Sequence, residues 1–208
     1  MFTQSEWSGA LSAKQSPALC EAFAGARVAV CGCGGLGSNI AIMLARAGVG
    51  HLHIIDFDRV EITNLNRQQY FADQIGMPKT EALKENLARI APYCDVRAEI
   101  IMIDEANIDG LFAEDDIICE AFDKAEAKAL LAGCILERHP EKYLISGSGM
   151  AGIGPANEMV TKKITSRFIL CGDGESDVDE SDVLLGTRVM LCAAHQAHAA
   201  LRIIAGAE

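Results

Sequence analysis

Residues 28–58 read "VAVCGCGGLGSNIAIMLARAGVGHLHIIDFD". An apolar run enters the segment Gly32-Cys33-Gly34-Gly35-Leu36-Gly37, a helical apolar pattern leaves it, and a second apolar run ends in Asp56. Glycines let the backbone turn sharply here, and the free N–H groups opening the next helix form a natural seat for an anion. An acid roughly 20 residues further on stands where a ribose hydroxyl would be met. The stretch therefore fits a strand–loop–helix–strand unit that binds a nucleotide. A tight turn without ligand could use the same glycines, but the full run of elements around them favours the nucleotide.

The chain supplies its own contrast. Gly147-Ser148-Gly149-Met150-Ala151-Gly152 has the same glycine spacing and also follows an apolar run, yet it leads into Gly154-Pro155. Without a helix behind it, that segment cannot aim a helix N-terminus at phosphate. It reads as an irregular strand end, flexible or closely approached by another backbone. The first loop in turn lacks the lysine that closes a Walker-type phosphate loop, and Ser38 and Asn39 stand in its place. Cations for a triphosphate must come from elsewhere.

They follow Asp56. Asp58, Arg59, Asn64, Asn66, Arg67, Gln68 and Gln69 crowd the next stretch, and Lys79 opens the helix beyond. A guanidinium with flanking amides can engage several phosphate oxygens, and a helix start adds further attraction for an anion. A solvated polar loop is the plainer alternative. Asp123 ends a later apolar run, "EAFD". Ligands of open α/β sheets gather at the carboxyl ends of the strands, so Asp56 and Asp123 are expected to face one crevice. There Asp123 suits Mg²⁺ on a triphosphate, or else caps the helix that begins at Lys124.

Outward from these motifs, strands are expected at 27–31, 51–56, 96–103, 116–121 and 143–146. Helices are expected at 16–24, 36–47, 79–90, 105–112 and 124–137, Gly48 and Pro92 ending two of them. Alternating strands and helices imply right-handed crossovers and a Rossmann-like, doubly wound, mostly parallel α/β sheet. Two β segments within 158–170 have no helix between them and read as antiparallel additions after residue 150; a final helix spans 187–204. One domain is expected over residues 1–208, with a helical segment at 1–25 and an acidic crossover loop at 172–183.

Composition narrows the function. Half of the 208 residues are hydrophobic, which suits a large core. The apolar runs are too short to span a membrane, and residues 1–25 lack the pattern of a signal peptide, so a soluble, cytoplasmic protein is expected. The net charge of −11 argues against a nucleic-acid partner, which needs a basic face. None of the eight cysteines forms a Cys-x-x-Cys pair, so they read as free thiols and no zinc is expected.

Smaller features stay subordinate. Residues 173–182 hold six acids and no base, but Val178 and Leu184 stand where a calcium loop needs glycine and glutamate, so a mobile solvated crossover is expected. Cys192, His195 and His198 recur at helical spacing and read as packing before metal binding. His51 and His53 alternate with apolar neighbours on a strand.

The segments "VAVCGCGGLGSN", "AGVGHLHIIDFD", "NLNRQQYF", "QIGMPKTEALKENL" and "EAFD" resemble, in order and spacing, those of the ThiF/MoeB/HesA proteins, bacterial relatives of ubiquitin-activating enzymes. The likeness is greatest to the short ThiF type, which activates the sulfur carrier ThiS for thiamine thiazole synthesis. The resemblance implies that MgATP adenylates the C-terminal Gly carboxylate of a small ubiquitin-like carrier with a Gly-Gly tail, releasing pyrophosphate. By position it implies phosphate contacts at Gly32, Gly34, Gly35 and Gly37, ribose contacts at Asp56, nucleotide binding at Asp58, and triphosphate binding at Asn66, Arg67, Gln68 and Lys79. Asp123 would coordinate magnesium. It also implies a homodimer.

The chain departs from that pattern where many relatives carry paired Cys-x-x-Cys motifs, and where Lys124 replaces an Asn. It departs again in residues 1–25, which contain no Arg to reach a partner's site. Cys171 could serve sulfur transfer but reads first as structural. The rivals are a tRNA threonylcarbamoyladenosine dehydratase-like enzyme, an NAD(P)-dependent oxidoreductase, and an inactive nucleotide- or carrier-binding module. The oxidoreductase would account for Asp56 but not for Asn66, Arg67, Lys79 and Asp123.

Overall fold

The computed structural model describes residues 2–177, 181 and 183–207. Val178, invoked above for the acidic loop, lies outside them. The described chain runs α1 (Gln4–Gln15), α2 (Pro17–Gly25), β1 (Arg27–Cys31), α3 (Gly35–Ala47), β2 (His51–Ile55), α4 (Lys79–Ile90), β3 (Asp95–Glu99) and α5 (Ile108–Leu111). It continues with β4 (Ile117–Glu120), α6 (Ala125–Arg138), β5 (Tyr143–Gly147), β6 (Val160–Lys163), β7 (Phe168–Gly172) and α7 (Gly186–Ile204).

All seven strands form one sheet in the order β3-β2-β1-β4-β5-β7-β6. Every neighbouring pair is parallel except β6 with β7. Strand alternation splits the core in two. Val28 and Val30 face α3, α4 and α7, where Ile40, Leu44, Leu83, Val189 and Cys192 pack. Ala29 and Cys31 face the other side, against Ile108, Phe112, Leu131 and Ile135. Each large aliphatic side chain fully buried this way contributes roughly 1.5–3 kcal/mol.

Register positions the site. Cys31 pairs with Ile55 on one side and Glu120 on the other, so β1, β2 and β4 end level. Gly32, Asp56 and Ala121 thereby emerge side by side. The strand order reverses between β2 and β4 around β1, so the glycine loop opens at the topological switch point.

Several expectations shift in detail. The third strand stops at Glu99, because β2 turns away after Ile55 and leaves residues 100–103 nothing to pair with beyond the Asp56 N–H bond to the Glu99 carbonyl. The helix expected at 105–112 is reduced to Ile108–Leu111. Of the two late segments, β6 alone runs antiparallel; β7 joins β5 in parallel. Helix α1 precedes the helix expected at 16–24; it buries no residue and starts from a capping box in which Thr3 and Glu6 bond reciprocally. No helix among the described residues is long and apolar enough to cross a membrane.

Candidate functional site

The glycine loop turns off β1 at Gly32, whose N–H donates to the Ile55 carbonyl and whose φ is +94°. A Cβ there would lie 2.8 Å from the Ala121 carbonyl oxygen, so only glycine passes between β2 and β4 in this way. Gly34 and Gly35 begin α3 and, with Gly32, line a cleft of about 590 Å³. That volume suits a nucleotide-sized ligand. Gly37 is not on the cleft lining. A Cβ on it would lie 1.7 Å from the Gly32 carbonyl oxygen, so this glycine lets α3 press against its own loop.

Asp56 is half-buried at the end of β2. It accepts the Cys33 N–H at 2.6 Å through one oxygen and the Asp58 N–H at 2.8 Å through the other, fastening the loop to the strand while still lining the cleft. Each carboxylate oxygen keeps acceptor capacity for a ribose hydroxyl. Lys79, the first residue of α4, is buried with its ammonium 2.8 Å from Asp58. Tyr70 braces the same corner by donating to the Cys33 carbonyl at 2.6 Å, and burial pushes its phenol pKa well up, so it stays protonated.

Ser38 and Asn39, in the place of a Walker lysine, do something different. The Asn39 amide donates to the carbonyls of Gly35 and Arg67 and accepts from the Gln69 amide, while the Ser38 hydroxyl accepts the Gln69 N–H. Helix α3 thus latches the polar stretch 64–69 beside its own N-terminus. Arg67 reaches the cleft lining, bonded to the Thr63 carbonyl and the Asn66 side chain. Gln68 also lines the cleft; it is buried, and its Oε1 has no hydrogen-bond partner among the described residues. Asn66 stands at the rim instead, donating to the Leu184 carbonyl.

Beyond β4 the chain bends at Phe122, whose N–H donates to the Glu120 carboxylate. Asp123 and Lys124 follow, exposed and on the cleft lining. The N-cap position of α6 is taken by Lys124, not Asp123, and no side chain caps the helix. Under them lies a cluster that sequence reasoning missed. Glu120 is fully buried, and both its oxygens lie within about bonding distance of the Lys128 ammonium, at 3.0 and 3.1 Å. Ser146 donates to the same carboxylate, and Lys128 reaches the Gly147 carbonyl at 2.9 Å. A lone acid inside the apolar run Ile117–Glu120 was the available signal, since a buried carboxylate needs a counter-charge.

The second glycine run forms the far wall. Ser148 donates to Cys171, and Asp173 and Gly174 donate back to Gly149 and Ser148, so another backbone does approach it closely. Gly147 to Ala151 then line the cleft opposite the first loop. Arg188, buried in the first turns of α7, ties this wall together: it pairs with Asp173 and donates to the Gly154 and Pro155 carbonyls. Burial acts to raise the Asp173 pKa, but hydrogen bonds from the Ser176 and Glu175 N–H groups, the Ser176 hydroxyl and the Arg188 guanidinium outweigh it and hold it down at about 2.

The remaining candidates are structural. Cys171 is buried, and desolvation pushes its thiol up to about 11, against the needs of a nucleophile. Cys192 is buried and donates to the Cys171 carbonyl, while His195 bonds Thr161. His53 is buried against Asp115 at 2.8 Å, and His51 meets Asp95. Among the described residues no group of three His, Cys, Asp or Glu side chains could cage a metal. A Mg²⁺ carried in on phosphate oxygens needs only one or two carboxylates, and Asp123, unpaired among the described residues, fits that requirement.

Comparison with known proteins places this geometry. Residues 10–208 match the model of the ThiF family. Molybdopterin-synthase adenylyltransferase of Escherichia coli K12 is 36% identical over 132 residues, 62% of this chain and 52% of that protein. Adenylyltransferase and sulfurtransferase MOCS3 of Drosophila persimilis is 29% identical over 197 residues, 86% of this chain and 40% of that protein. The chain thus spans about half, or less, of the length of these curated relatives. The structure of Escherichia coli tRNA N6-threonylcarbamoyladenosine dehydratase, TcdA, in complex with AMP superposes with a TM-score of 0.87 at 22% identity, covering 99% of this chain and 98% of that one.

Proposed function

The chain belongs to the ThiF family, and from that premise we propose that it is an ATP-dependent adenylyltransferase activating the C-terminal Gly carboxylate of a small ubiquitin-like sulfur carrier of the ThiS kind. One observation carries the reading. Gly32, Gly34, Gly35, Asp56, Arg67, Gln68, Lys79 and Asp123, from separate segments, line a single cleft. The names of the curated relatives, a molybdopterin-synthase adenylyltransferase and an adenylyltransferase and sulfurtransferase, support it.

The chemistry asks little of a base. A terminal carboxylate is ionised at neutral pH, so the difficulty lies in bringing it to a polyanionic triphosphate. The carboxylate oxygen attacks the α-phosphorus, the bond to the β-phosphate oxygen breaks, and pyrophosphate leaves with its electron pair. The chain's residues hold the reactants in line and offset the charge. The glycine loop and the start of α3 receive phosphate, Asp56 holds the ribose hydroxyls, and Arg67, Gln68 and Lys79 face the triphosphate. Mg²⁺, when bound at Asp123, supplies further charge neutralisation at the phosphates. Gly37 and Asn66 act from behind, one in packing the loop and one in seating the strand of chain before α7. Exposed Ile62, Phe71 and Ile75, on the segment that bears Arg67, give a second copy of the chain an apolar surface to cover, in keeping with a homodimer.

A second reading, dehydration of a threonylcarbamoyl adenosine in tRNA, draws on the end-to-end fold match with TcdA. It also begins by activating a carboxylate. The net charge of −11 counts against an RNA partner. Calorimetric titration with MgATP and with NAD⁺, repeated on Arg67→Ala, tests the shared premise. Binding of MgATP alone, weakened in the variant, is expected; preference for NAD⁺ sinks it. ATP–pyrophosphate exchange stimulated by a ThiS-type carrier, and not by threonylcarbamoylated tRNA, then separates the two substrates.

A further inference from the structure

Four cations line the cleft, Arg67, Lys79, Lys124 and Lys128, and they differ in what already faces them. Lys79 is paired with Asp58, and Lys128 with the buried Glu120. Arg67 is bonded to neutral oxygens of Thr63 and Asn66. The Lys124 side chain has neither ion pair nor hydrogen bond among the described residues. Its neighbour Asp123 is equally unpaired, and the two opposite charges, adjacent in the chain, do not join each other.

Place in the sheet separates Lys124 from Arg67, the other lining cation without an ion pair among the described residues. Arg67 sits beside Gly35, on the β1–β2 side where the loop and α3 receive phosphate. Lys124 follows β4, which lies between β1 with its glycine loop and β5 with the Gly147–Ala151 wall. The end of β4 thus separates the far wall from the glycine loop, and Lys124 lines the cleft there. The far wall carries no charged side chain from Gly147 to Ala151, so it offers an incoming carboxylate no charge of its own.

We propose that Lys124 binds the carboxylate of the second substrate, holding it between the Gly147–Ala151 wall and the glycine loop for attack on the α-phosphorus. The proposal rests on the adenylation reading above. The ammonium donates to the carboxylate oxygen that does not attack; no proton is transferred, and the lysine is unchanged when pyrophosphate departs. Asp123 and Lys124 then serve two substrates from adjacent positions, the acid facing the metal-bearing phosphates and the lysine the acyl group.

The test uses the full chain saturated with Mg²⁺ and the α,β-methylene analogue of ATP, and a short peptide ending in Gly-Gly, as the free acid and as the C-terminal amide. Wild type is expected to prefer the acid by roughly tenfold, as for a charge-assisted hydrogen bond. Lys124→Ala is expected to lose that preference and Lys124→Arg to keep it, with MgATP affinity and melting temperature unchanged in both. A preference that survives in Lys124→Ala, its absence in wild type, or a fall in MgATP affinity in Lys124→Ala overturns the proposal. Failure of wild type to bind MgATP at all sinks the adenylation reading itself.

Discussion

The Asn39 amide donates to the Arg67 carbonyl at 3.0 Å, joining the first helix after the glycine loop to the segment that brings Arg67 to the cleft. The same side chain holds Gly35 and Gln69. Asn39→Ala therefore leaves buried polar partners unmet, at a cost of about 1–3 kcal/mol in urea unfolding. It is also expected to weaken MgATP binding, though Asn39 is not on the cleft lining. Unchanged nucleotide affinity in a folded variant would show that Arg67 is positioned without the latch.

Glycines of one motif differ sharply in what they tolerate. A Cβ on Gly37 would lie 1.7 Å from the Gly32 carbonyl oxygen, a backbone atom, whereas the nearest atom to a Cβ on Gly34 is the Gln68 amide nitrogen at 3.8 Å. Gly37→Ala is expected to lose about 1–3 kcal/mol or more, as overpacked cores do, and Gly34→Ala to melt close to wild type. Gly34→Ala should instead lose affinity for MgATP, since its methyl group enters the cleft. Equal melting temperatures for the two variants would refute this division.

Lys128→Met strands the Glu120 carboxylate in the interior. Breaking a buried pair from one side typically costs about 3–5 kcal/mol. Adding Glu120→Gln should recover a substantial part, because the neutral amide no longer needs a cation. Chemical denaturation of the two single variants and the double variant measures the coupling; strict additivity would mean that the pair contributes nothing as a pair.

Asp173 sets an acid limit. Its ordinary pKa is near 3.8 and its folded value about 2, so the folded state favours the ionised form. That contribution is complete above about pH 4 and disappears as the pH falls towards 2. Wild-type stability should therefore decline through this window, and Asp173→Asn should decline less steeply there while being weaker at pH 7, where Arg188 loses its nearer counter-charge and keeps the Glu158 carboxylate at 3.6 Å. Parallel acid limbs for the two proteins would exclude the Asp173–Arg188 pair as the cause.

Local pattern made much of this legible. Strand β1 and helix α4 fall at the residues that periodicity and capping indicate, because each has apolar spacing and sharp stops of its own. The overrun of the third strand has a tertiary cause: Ile100, Ile101 and Met102 look like strand residues but have no neighbour to pair with, and they end exposed. Helix α1 is fixed by a local cap and buries no residue, though Trp7 packs on the core, so apolar spacing sets no bounds for it within residues 1–25. In the site, the glycine loop, Asp56, Arg67, Lys79 and Asp123 were visible as motif residues. The Glu120–Lys128–Ser146 cluster was not, since its members sit on three different elements and meet only when β4, α6 and β5 pack. The close approach of another backbone to the second glycine run was legible from its glycines, whereas its place opposite the first loop comes from tertiary packing that spacing alone does not reveal.

The two margins of the sheet bear on how the protein behaves at high concentration. The outermost strand on one side, Val160–Lys163, carries exposed Lys162 and Lys163, and on the other side Asp95, Arg97 and Glu99 stud β3. An incoming strand from another molecule would have to bury these charges to add its hydrogen bonds. Charge at both ends thus acts as a terminator, and a sheet that is otherwise an apolar parallel stack is kept from growing into aggregates by strand addition.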